Sequence, residues 1–172
     1  KGDVFFVDEI HRLSAVVSEY LYAAMEDFAI DLVIDQGPNA RTVKINLPPF
    51  TLVGATTREG LLAAPFRSRF GILEKLDAYP WEDLAEILKR SAEVLGMRAE
   101  KPALELVAKR SRGTPRVAIR FLRRIRDVAQ AKDLTTIALD VAEDGLKRLG
   151  VDAQGLDAMD RKILETLVRQ KG

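Results

Sequence analysis

The hydrophobic pattern of the first 80 residues changes from continuous to alternating and back. Residues 4–7 and 50–57 are mostly apolar runs, which is typical of strands that are covered on both faces of a sheet. Residues 30–34 and 43–47 instead alternate apolar and polar side chains around a Gly-Pro-Asn turn, a pattern that indicates a β-hairpin. We therefore predict two buried parallel strands, a hairpin between them, and a third short strand at residues 72–76.

Helical spacing dominates the rest of the chain. Ser14 is a suitable N-cap for a helix whose apolar residues, from Val17 to Phe28, lie three and four apart. Strand signals stop near residue 79, and helices are predicted at residues 81–95, 102–110, 115–132, 137–149 and 157–170. The candidate core of this helical part is Leu84, Ile87, Leu88, Ala92, Leu104, Val107, Val117, Phe121, Ile125, Val128, Val141 and Leu146.

These elements predict three regions. An α/β domain extends to residue 78, a small helical domain occupies residues 79–150, and a polar, Gly-containing joint leads to a further helix over residues 151–172. Because the chain starts directly with a central strand and ends on a helix with an apolar face, we expect it to be an internal fragment of a longer protein.

Composition narrows the classes of function. The 172 residues carry a net charge of +1, so bulk charge does not indicate a polyanionic partner, although local clusters still can. The chain has no cysteine and one histidine, which excludes disulfides and thiolate metal sites and makes a histidine-rich zinc site implausible. No apolar run is long enough for a bilayer span, and no secretory signal is recognisable, so we expect no membrane association.

Two adjacent carboxylates follow the first predicted strand. In open α/β sheets, ligands bind beyond the carboxyl ends of the strands, where Asp8 and Glu9 lie. In P-loop nucleotide hydrolases an acid at this position holds Mg²⁺, and a neighbouring acid orients or deprotonates the attacking water, so the pair is interpreted as a Walker B motif. The alternative is that the two acids cap the helix that begins near Ser14.

Arginines supply the second set of candidates. Thr114 as N-cap and Pro115 put Arg116 in the first turn of a helix, where the macrodipole disfavours a cation unless an anion such as phosphate lies there too. Arg67 and Arg69 lie in a predicted loop, and either can act as an arginine finger on a nucleotide held by a neighbouring copy. The alternative for Arg116 is a solvated arginine with an acidic neighbour, and two arginines in a turn are unremarkable by themselves.

For two further features we favour a structural interpretation over a functional one. The single histidine, His11, follows the acidic pair, and we expect it to make a structural or coupling hydrogen bond rather than to act in catalysis. A basic cluster surrounds one helix; it could contact DNA, but we expect a solvated face paired with local acids. Its members are Arg110, Arg112, Arg116, Arg120, Arg123, Arg124 and Arg126.

Five motifs in a fixed order carry a resemblance that extends over essentially the whole chain. They are residues 4–13 (VFFVDEIHRL), 25–28 (MEDF), 54–58 (GATTR), 68–71 (SRFG) and 112–116 (RGTPR). The chain resembles the RuvB family of AAA+ ATPases, the motors of Holliday-junction branch migration. The resemblance implies the C-terminal part of an AAA+ parallel sheet with an inserted hairpin, a helical lid domain, and the first helix of a winged-helix domain.

The resemblance also implies site residues. Asp8 takes the role of the Mg²⁺ ligand, Glu9 activates water, and Thr57 is sensor 1, with Thr56 as the less favoured candidate. Arg69 matches the arginine finger, and Arg67 is the fallback. The remaining nucleotide-bordering positions are Glu26, Asp27, Phe28, Tyr79 and the sensor 2 residue Arg116.

The implied partners follow from the same family. They are ATP/ADP with Mg²⁺, other copies in a homo-oligomeric, hexameric ring, RuvA bound through the hairpin at residues 30–47, duplex DNA at Holliday junctions, and RuvC. The family implies a bacterial, cytoplasmic setting in DNA recombination, repair and the SOS response. Because the Walker A loop is not found in the sequence, we expect these residues alone not to hydrolyse ATP.

Two other functions stay open at this stage. One is a partner-binding fragment that acts through the hairpin without nucleotide, and the other is a different AAA+ machine such as a clamp loader, whose finger motif is similar. The long hairpin between the first helix and the second strand speaks against the clamp loader.

Overall fold

The computed structural model describes residues 2–34 and 41–171 of the chain. These residues divide into two compact units, Lys1–Lys75 and Leu76–Gly172. Across the described residues, no helix reaches the length and apolarity that a bilayer crossing requires.

The first unit contains the predicted α/β elements. Strand β1 (Asp3–Val7) pairs in parallel with β4 (Phe50–Gly54), with Asp3 opposite Phe50 and Val7 opposite Gly54. Helix α1 (Ala15–Asp27) begins at Ser14, whose Oγ accepts a 3.3 Å hydrogen bond from the Val17 N–H, so the predicted N-cap is confirmed. A four-residue helix, α2 (Ala64–Arg67), follows β4.

The hairpin is confirmed as an antiparallel pair of β2 (Ala29–Ile34) and β3 (Arg41–Asn46). Ile30 lies opposite Ile45 and Leu32 opposite Val43, so the apolar residues of both strands share one face. Much of that face is exposed. The predicted Gly-Pro-Asn turn, at residues 37–39, lies outside the described residues.

Two predictions about the strands are wrong. The side chains of Val4, Phe5 and Phe6 are 67%, 51% and 57% exposed, because the described part of the sheet has only two strands and its apolar faces lack cover. Residues 72–76 form no strand, and Leu76 is 93% exposed. A strand requires a neighbour for its backbone hydrogen bonds, and no pairing for this segment exists among the described residues.

The second unit contains the five helices predicted after residue 79, and all five are confirmed. They are α3 (Trp81–Val94), α4 (Lys101–Arg110), α5 (Pro115–Gln130), α6 (Leu139–Arg148) and α7 (Ala158–Lys171). Nine of the twelve core candidates are buried, whereas Ile87, Val117 and Val128 are only partly buried. The helical periodicity therefore identified the packed face of each of α3, α4, α5 and α6, but not the edges of these faces.

Two local details of this unit differ from expectation. A two-residue parallel pair, β5 (Arg98–Ala99) and β6 (Thr136–Ile137), joins segments in which no strand was predicted. Thr114 occupies the N-cap position of α5, but its hydroxyl makes no capping bond and instead donates to the Arg112 carbonyl oxygen at 3.4 Å. Pro115 lies at the start of this helix as predicted.

Candidate functional site

The ends of β1 and β4 are tied together by backbone hydrogen bonds. The Ala55 N–H donates to the Val7 carbonyl oxygen at 2.9 Å, and the Ile10 N–H donates to the Ala55 carbonyl oxygen at 2.9 Å. A Cβ on Gly54 would lie 2.8 Å from Cδ1 of the buried Ile10, so only glycine allows this close approach without a shift. The residues that follow the two strands therefore lie side by side.

Glu9 has an unusual backbone conformation at this edge. Its φ of 48° and ψ of 45° lie in the left-handed region, which costs a non-glycine residue about 1–2 kcal/mol. The Glu9 N–H donates to Oδ1 of Asp8 at 2.9 Å, which supports the turn. Strained residues of this kind cluster at functional sites, where the surrounding structure holds them.

The Glu9 carboxylate faces residues from both strand ends. Its Oε2 is 3.3 Å from Nδ1 of His11 and 3.4 Å from the Thr57 hydroxyl, which donates to it. The second distance is long for an O–H···O bond, so that interaction is weak. Glu9 and Thr57 are 48 residues apart in sequence, and their meeting confirms that the two parallel strands deliver polar groups to one edge.

The two neighbouring threonines differ in their contacts. The Thr56 oxygen accepts a 2.9 Å hydrogen bond from the Arg58 N–H and lies 2.7 Å from Nδ1 of His11. Thr57, by contrast, makes its hydroxyl contact with the Glu9 carboxylate. Of the two threonines, only Thr57 is therefore directed to the acidic pair, while Thr56 anchors the histidine.

Asp8 has the chemistry of a single metal ligand. Among the described residues no group of three or more acids and histidines could hold a metal ion alone. Magnesium in nucleotide sites is usually bound by one or two carboxylates together with water and phosphate oxygens. The side chain of Asp8 is exposed, and only one of its oxygens accepts a bond from the backbone, so it fits such a role.

Arg69 lies in a second cluster, on the surface of α1. Its Nη2 is 2.8 Å from Glu26 Oε1, its Nη1 donates to the Pro65 carbonyl oxygen at 2.6 Å, and its guanidinium lies 5.0 Å from the centre of the Tyr22 ring. Nε is buried and has no hydrogen-bond partner in the described part of the chain. The side chain is 25% exposed, so this arginine is held by its own unit.

Arg67 differs from Arg69 in its environment. It is the last residue of α2 rather than a loop residue as predicted, and its Nη1 lies 3.2 Å from Glu59. Both partners are exposed, and ion pairs of this kind contribute little to stability. Arg67 is therefore the more exposed of the two finger candidates.

The Glu26-Asp27-Phe28 segment is not at the edge that carries Asp8. Helix α1 ends at Phe28, whose ring lies 6.1 Å from that of Phe50, the first residue of β4. Asp8 and Glu9 follow the other end of the sheet, roughly 13 Å away along the length of β4. Phe28 therefore lies at the opposite end of β4 from the residues that carry the acidic pair.

In the second unit, Tyr79 lies against the motif that precedes α5. The Tyr79 N–H donates to the Gly113 carbonyl oxygen at 2.9 Å. Gly113 has a φ of +72°, and a Cβ there would lie 2.6 Å from Cβ of Ala78. The tyrosine is 48% exposed, so its ring is accessible beside the start of α5.

Arg116 lies in the first turn of α5, as predicted. It has no hydrogen bond or ion pair with any residue that the structure describes. It lines an open groove of about 560 Å³ together with Ile119, Arg120, Arg123, Arg124, Arg126 and Asp127. An unpaired arginine beside free helix N–H groups favours an anion such as phosphate.

Other members of the basic cluster around α5 are paired with a local acid, as we expected. Arg126 and Arg124 lie 2.7 Å and 3.2 Å from the Asp127 carboxylate. The hydrogen bond from Arg126, together with the nearby charges, holds the pKa of Asp127 below its ordinary value. Arg123, like Arg116, has no such partner among the described residues.

Family models, curated relatives and solved structures that are similar to this chain all point to the same family. Residues 1–76 match the family model described as "Holliday junction DNA helicase RuvB P-loop domain", and residues 79–152 match "RuvB AAA lid domain". A "Holliday junction branch migration complex subunit RuvB" from Myxococcus xanthus is 58% identical over 170 residues, which are 99% of this chain and 50% of that protein. A Thermosipho melanesiensis protein of the same name is 53% identical over 167 residues, covering 97% of this chain and 53% of its own length.

Solved structures agree with these relatives. The Thermotoga maritima RuvB Holliday junction branch migration motor has a TM-score of 0.81 and 46% sequence identity, with 98% of this chain and 51% of that chain covered. A structure of a P216G variant of the same protein is similar, with a TM-score of 0.85 and 48% identity over 98% of this chain and 52% of its own. The chain spans about half the length of the curated relatives it matches.

Proposed function

The chain belongs to the RuvB family of AAA+ proteins, and on this premise we propose that its residues work in an ATP-driven motor that moves duplex DNA at Holliday junctions. The observation that carries the proposal is the meeting of Asp8, Glu9 and Thr57 where β1 and β4 end. This is the edge at which open α/β sheets bind ligands.

The proposed division of labour follows from the contacts. Asp8 would hold Mg²⁺ with its exposed carboxylate, and the metal would polarise the γ-phosphate of bound ATP. Glu9 takes the proton of the attacking water, and Thr57 senses the phosphate beside Glu9. Because the Glu9 carboxylate is 42% exposed, it is open to a water molecule.

The first test is Glu9→Gln in a full-length RuvB that carries these 172 residues, such as the Myxococcus xanthus relative with its matching segment exchanged. We expect ATP binding to persist and turnover to fall about 10²–10⁴-fold, since an amide cannot accept the proton. Glu19→Gln, an exposed glutamate on α1, is the matched control. Turnover of Glu9→Gln at the control rate would contradict the assignment.

We propose that the Glu26–Arg69 cluster serves the nucleotide of a neighbouring copy. A guanidinium fork can neutralise charge on a transferring phosphate, and in this unit the Arg69 guanidinium is bound to Glu26 rather than to Glu9. Glu26, Asp27 and Phe28 then border that neighbour's nucleotide, and Arg69 leaves Glu26 or turns its free N–H groups outward to reach it.

Mixing experiments test this role. Subunits with Arg69→Ala and subunits with Glu9→Gln are each expected to be inactive, and their mixture should regain hydrolysis because some sites then combine an intact Glu9 with an intact Arg69. Absence of rescue at every mixing ratio would rule out action in trans. If Arg67→Ala shows the loss and rescue while Arg69→Ala keeps full activity, Arg67 is the finger.

We propose that Tyr79 and Arg116 border a bound nucleotide. The free guanidinium of Arg116 in the first turn of α5 supports a phosphate contact. Arg116→Ala should weaken nucleotide binding or slow turnover at least tenfold. Arg123→Ala removes an equally unpaired arginine about two turns further along α5 and should change neither, so equal effects of the two variants would contradict a specific role.

The hairpin is the proposed docking surface for RuvA. Its exposed apolar face, with Leu32 opposite Val43, supports a protein contact. The double variant Leu32→Ser/Val43→Ser should abolish RuvA binding and leave basal ATPase unchanged, whereas Val33→Ser on the other face should retain binding. Unchanged RuvA binding by the double variant would contradict this role and leave the motor assignment standing.

The remaining family properties are proposals of the same kind. They comprise a hexameric ring, contact with RuvC, a cytoplasmic bacterial setting with a role in the SOS response, and domain boundaries after residues 78 and 150. Sedimentation of the full-length protein with ATP tests the ring, and limited proteolysis tests the boundaries.

A further inference from the structure

We infer that His11 is a positioning residue that holds the Glu9 carboxylate and couples it to the end of β4 through Thr56. The inference rests on the proposed role of Glu9 in water activation. It concerns the geometry of Glu9 rather than any contact of His11 with nucleotide.

His11 is placed for this role by a rigid support. It lies in the short 3-10 turn Ile10–Arg12, which is anchored because Ile10 is 2% exposed and its N–H is bonded to the Ala55 carbonyl oxygen. The His11 side chain is only 9% exposed, while that of Glu9 is 42% exposed. A largely buried imidazole thus lies beside a carboxylate that still reaches solvent.

Both contacts of Nδ1 are favourable in one tautomer of His11, the one with the hydrogen on Nδ1. Nδ1 lies 2.7 Å from the Thr56 hydroxyl oxygen and 3.3 Å from Glu9 Oε2. A carboxylate oxygen only accepts hydrogen bonds, so the Glu9 contact is attractive when Nδ1 carries the hydrogen. The Thr56 oxygen already accepts from the Arg58 N–H and has a second lone pair for the imidazole.

The two oxygens of the Glu9 carboxylate therefore differ in their contacts. Oε2 is contacted by His11 and, more weakly, by the Thr57 hydroxyl. Oε1 has no hydrogen-bond partner among the described residues and is the oxygen available to water. A glutamate side chain without such support loses its fixed geometry, and small misplacements of a catalytic group can slow a reaction by up to about 10²-fold.

The test compares two amides of different length in a full-length RuvB that carries these residues. In His11→Asn the amide nitrogen is as many bonds from Cβ as Nδ1 is, so its N–H can replace the histidine donor. In His11→Gln the nitrogen lies one bond further out, and the carboxamide carbon, which cannot donate a hydrogen bond, takes the place of Nδ1. We expect His11→Gln and His11→Ala to lower kcat about tenfold or more with KM unchanged, and His11→Asn to regain most of kcat.

A background variant separates this inference from the proposed function. In Glu9→Gln protein, His11→Ala should cause no further loss, because it acts through Glu9. Equal kcat values for the Asn and Gln variants, or an undiminished loss in the Glu9→Gln background, would overturn the positioning role. If Glu9→Gln itself hydrolyses ATP normally, the proposed function fails first, whatever the His11 variants do.

Discussion

At Gly145, α6 lies very close to α5. Gly145 is buried, and a Cβ built on it would lie 2.6 Å from Cγ1 and 3.3 Å from both Cα and Cβ of Ile125. Ile125 is fully buried, so its side chain has no open space into which to turn. The substitution Gly145→Ala therefore sets helix propensity against packing.

The steric cost of the added methyl group is larger than the gain in helix propensity. Alanine is better than glycine in a helix interior by about 1 kcal/mol. Carbon atoms at rest lie about 3.5–4.0 Å apart, so the two helices must separate by roughly 1 Å near this contact. Overpacking of this kind costs about 1–3 kcal/mol. We expect a net loss of about 1 kcal/mol, because two of the three close atoms belong to or adjoin the backbone and cannot rotate away.

Urea denaturation of the 172-residue chain measures this loss. The fluorescence of Trp81, the only tryptophan, reports on the helical unit in which Gly145 lies. The double variant Gly145→Ala/Ile125→Ala removes the clashing Cγ1, so its destabilisation should be smaller than the sum of the two single losses. A higher stability for Gly145→Ala, as propensity alone predicts, or strict additivity in the double variant, would refute the reasoning.

Three further outcomes follow from single contacts. Ser14→Ala removes the hydroxyl that caps α1 and should cost about 0.5–1 kcal/mol, seen as faster hydrogen exchange of the Val17 amide than in wild type. Gly113→Ala combines a φ of +72° with a close methyl carbon at 2.6 Å and should destabilise the helical unit by about 2 kcal/mol in the same urea assay. The Asp152 carboxylate accepts a bond from the Leu156 N–H, which lowers its pKa below the ordinary value of 3.8; it therefore stabilises the fold above that pH and this contribution disappears as the pH falls through the lower folded pKa. Asp152→Asn should flatten the acid limb of a stability–pH curve, and an unchanged limb would contradict this source of stability.

Periodicity predicted the elements whose signals are local. The buried faces of α3 and α5, with Leu84 and Ile125, were found because apolar residues recur at helical spacing over three or more turns. The β5–β6 pair escaped prediction because two residues per strand are too few to show alternation. Residues 72–76 were wrongly predicted as a strand, because a short apolar run does not by itself show that a neighbouring strand is available for pairing.

The sequence predicted those parts of the candidate site that lie directly after the two parallel strands. Parallel pairing brings Thr57 to Glu9 across 48 residues, and this follows from the ends of two apolar runs. The contact between Glu26 and Arg69 depends on how α2 packs against α1, which no local pattern encodes. A weak signal existed, because Tyr22 and Glu26 are four residues apart and share one face of α1.

The pairing of Arg69 with Glu26 rather than with Glu9, together with its proposed role at a neighbouring copy, has a numerical consequence for assembly. If each catalytic centre combines Glu9 of one subunit with Arg69 of the next, contacts are head-to-tail, and complete centres arise only at interfaces. A single subunit then has none, an open row of n subunits has n − 1, and closure of the row into a ring adds the last one. Specific activity should therefore rise with protein concentration and level off once every row has closed.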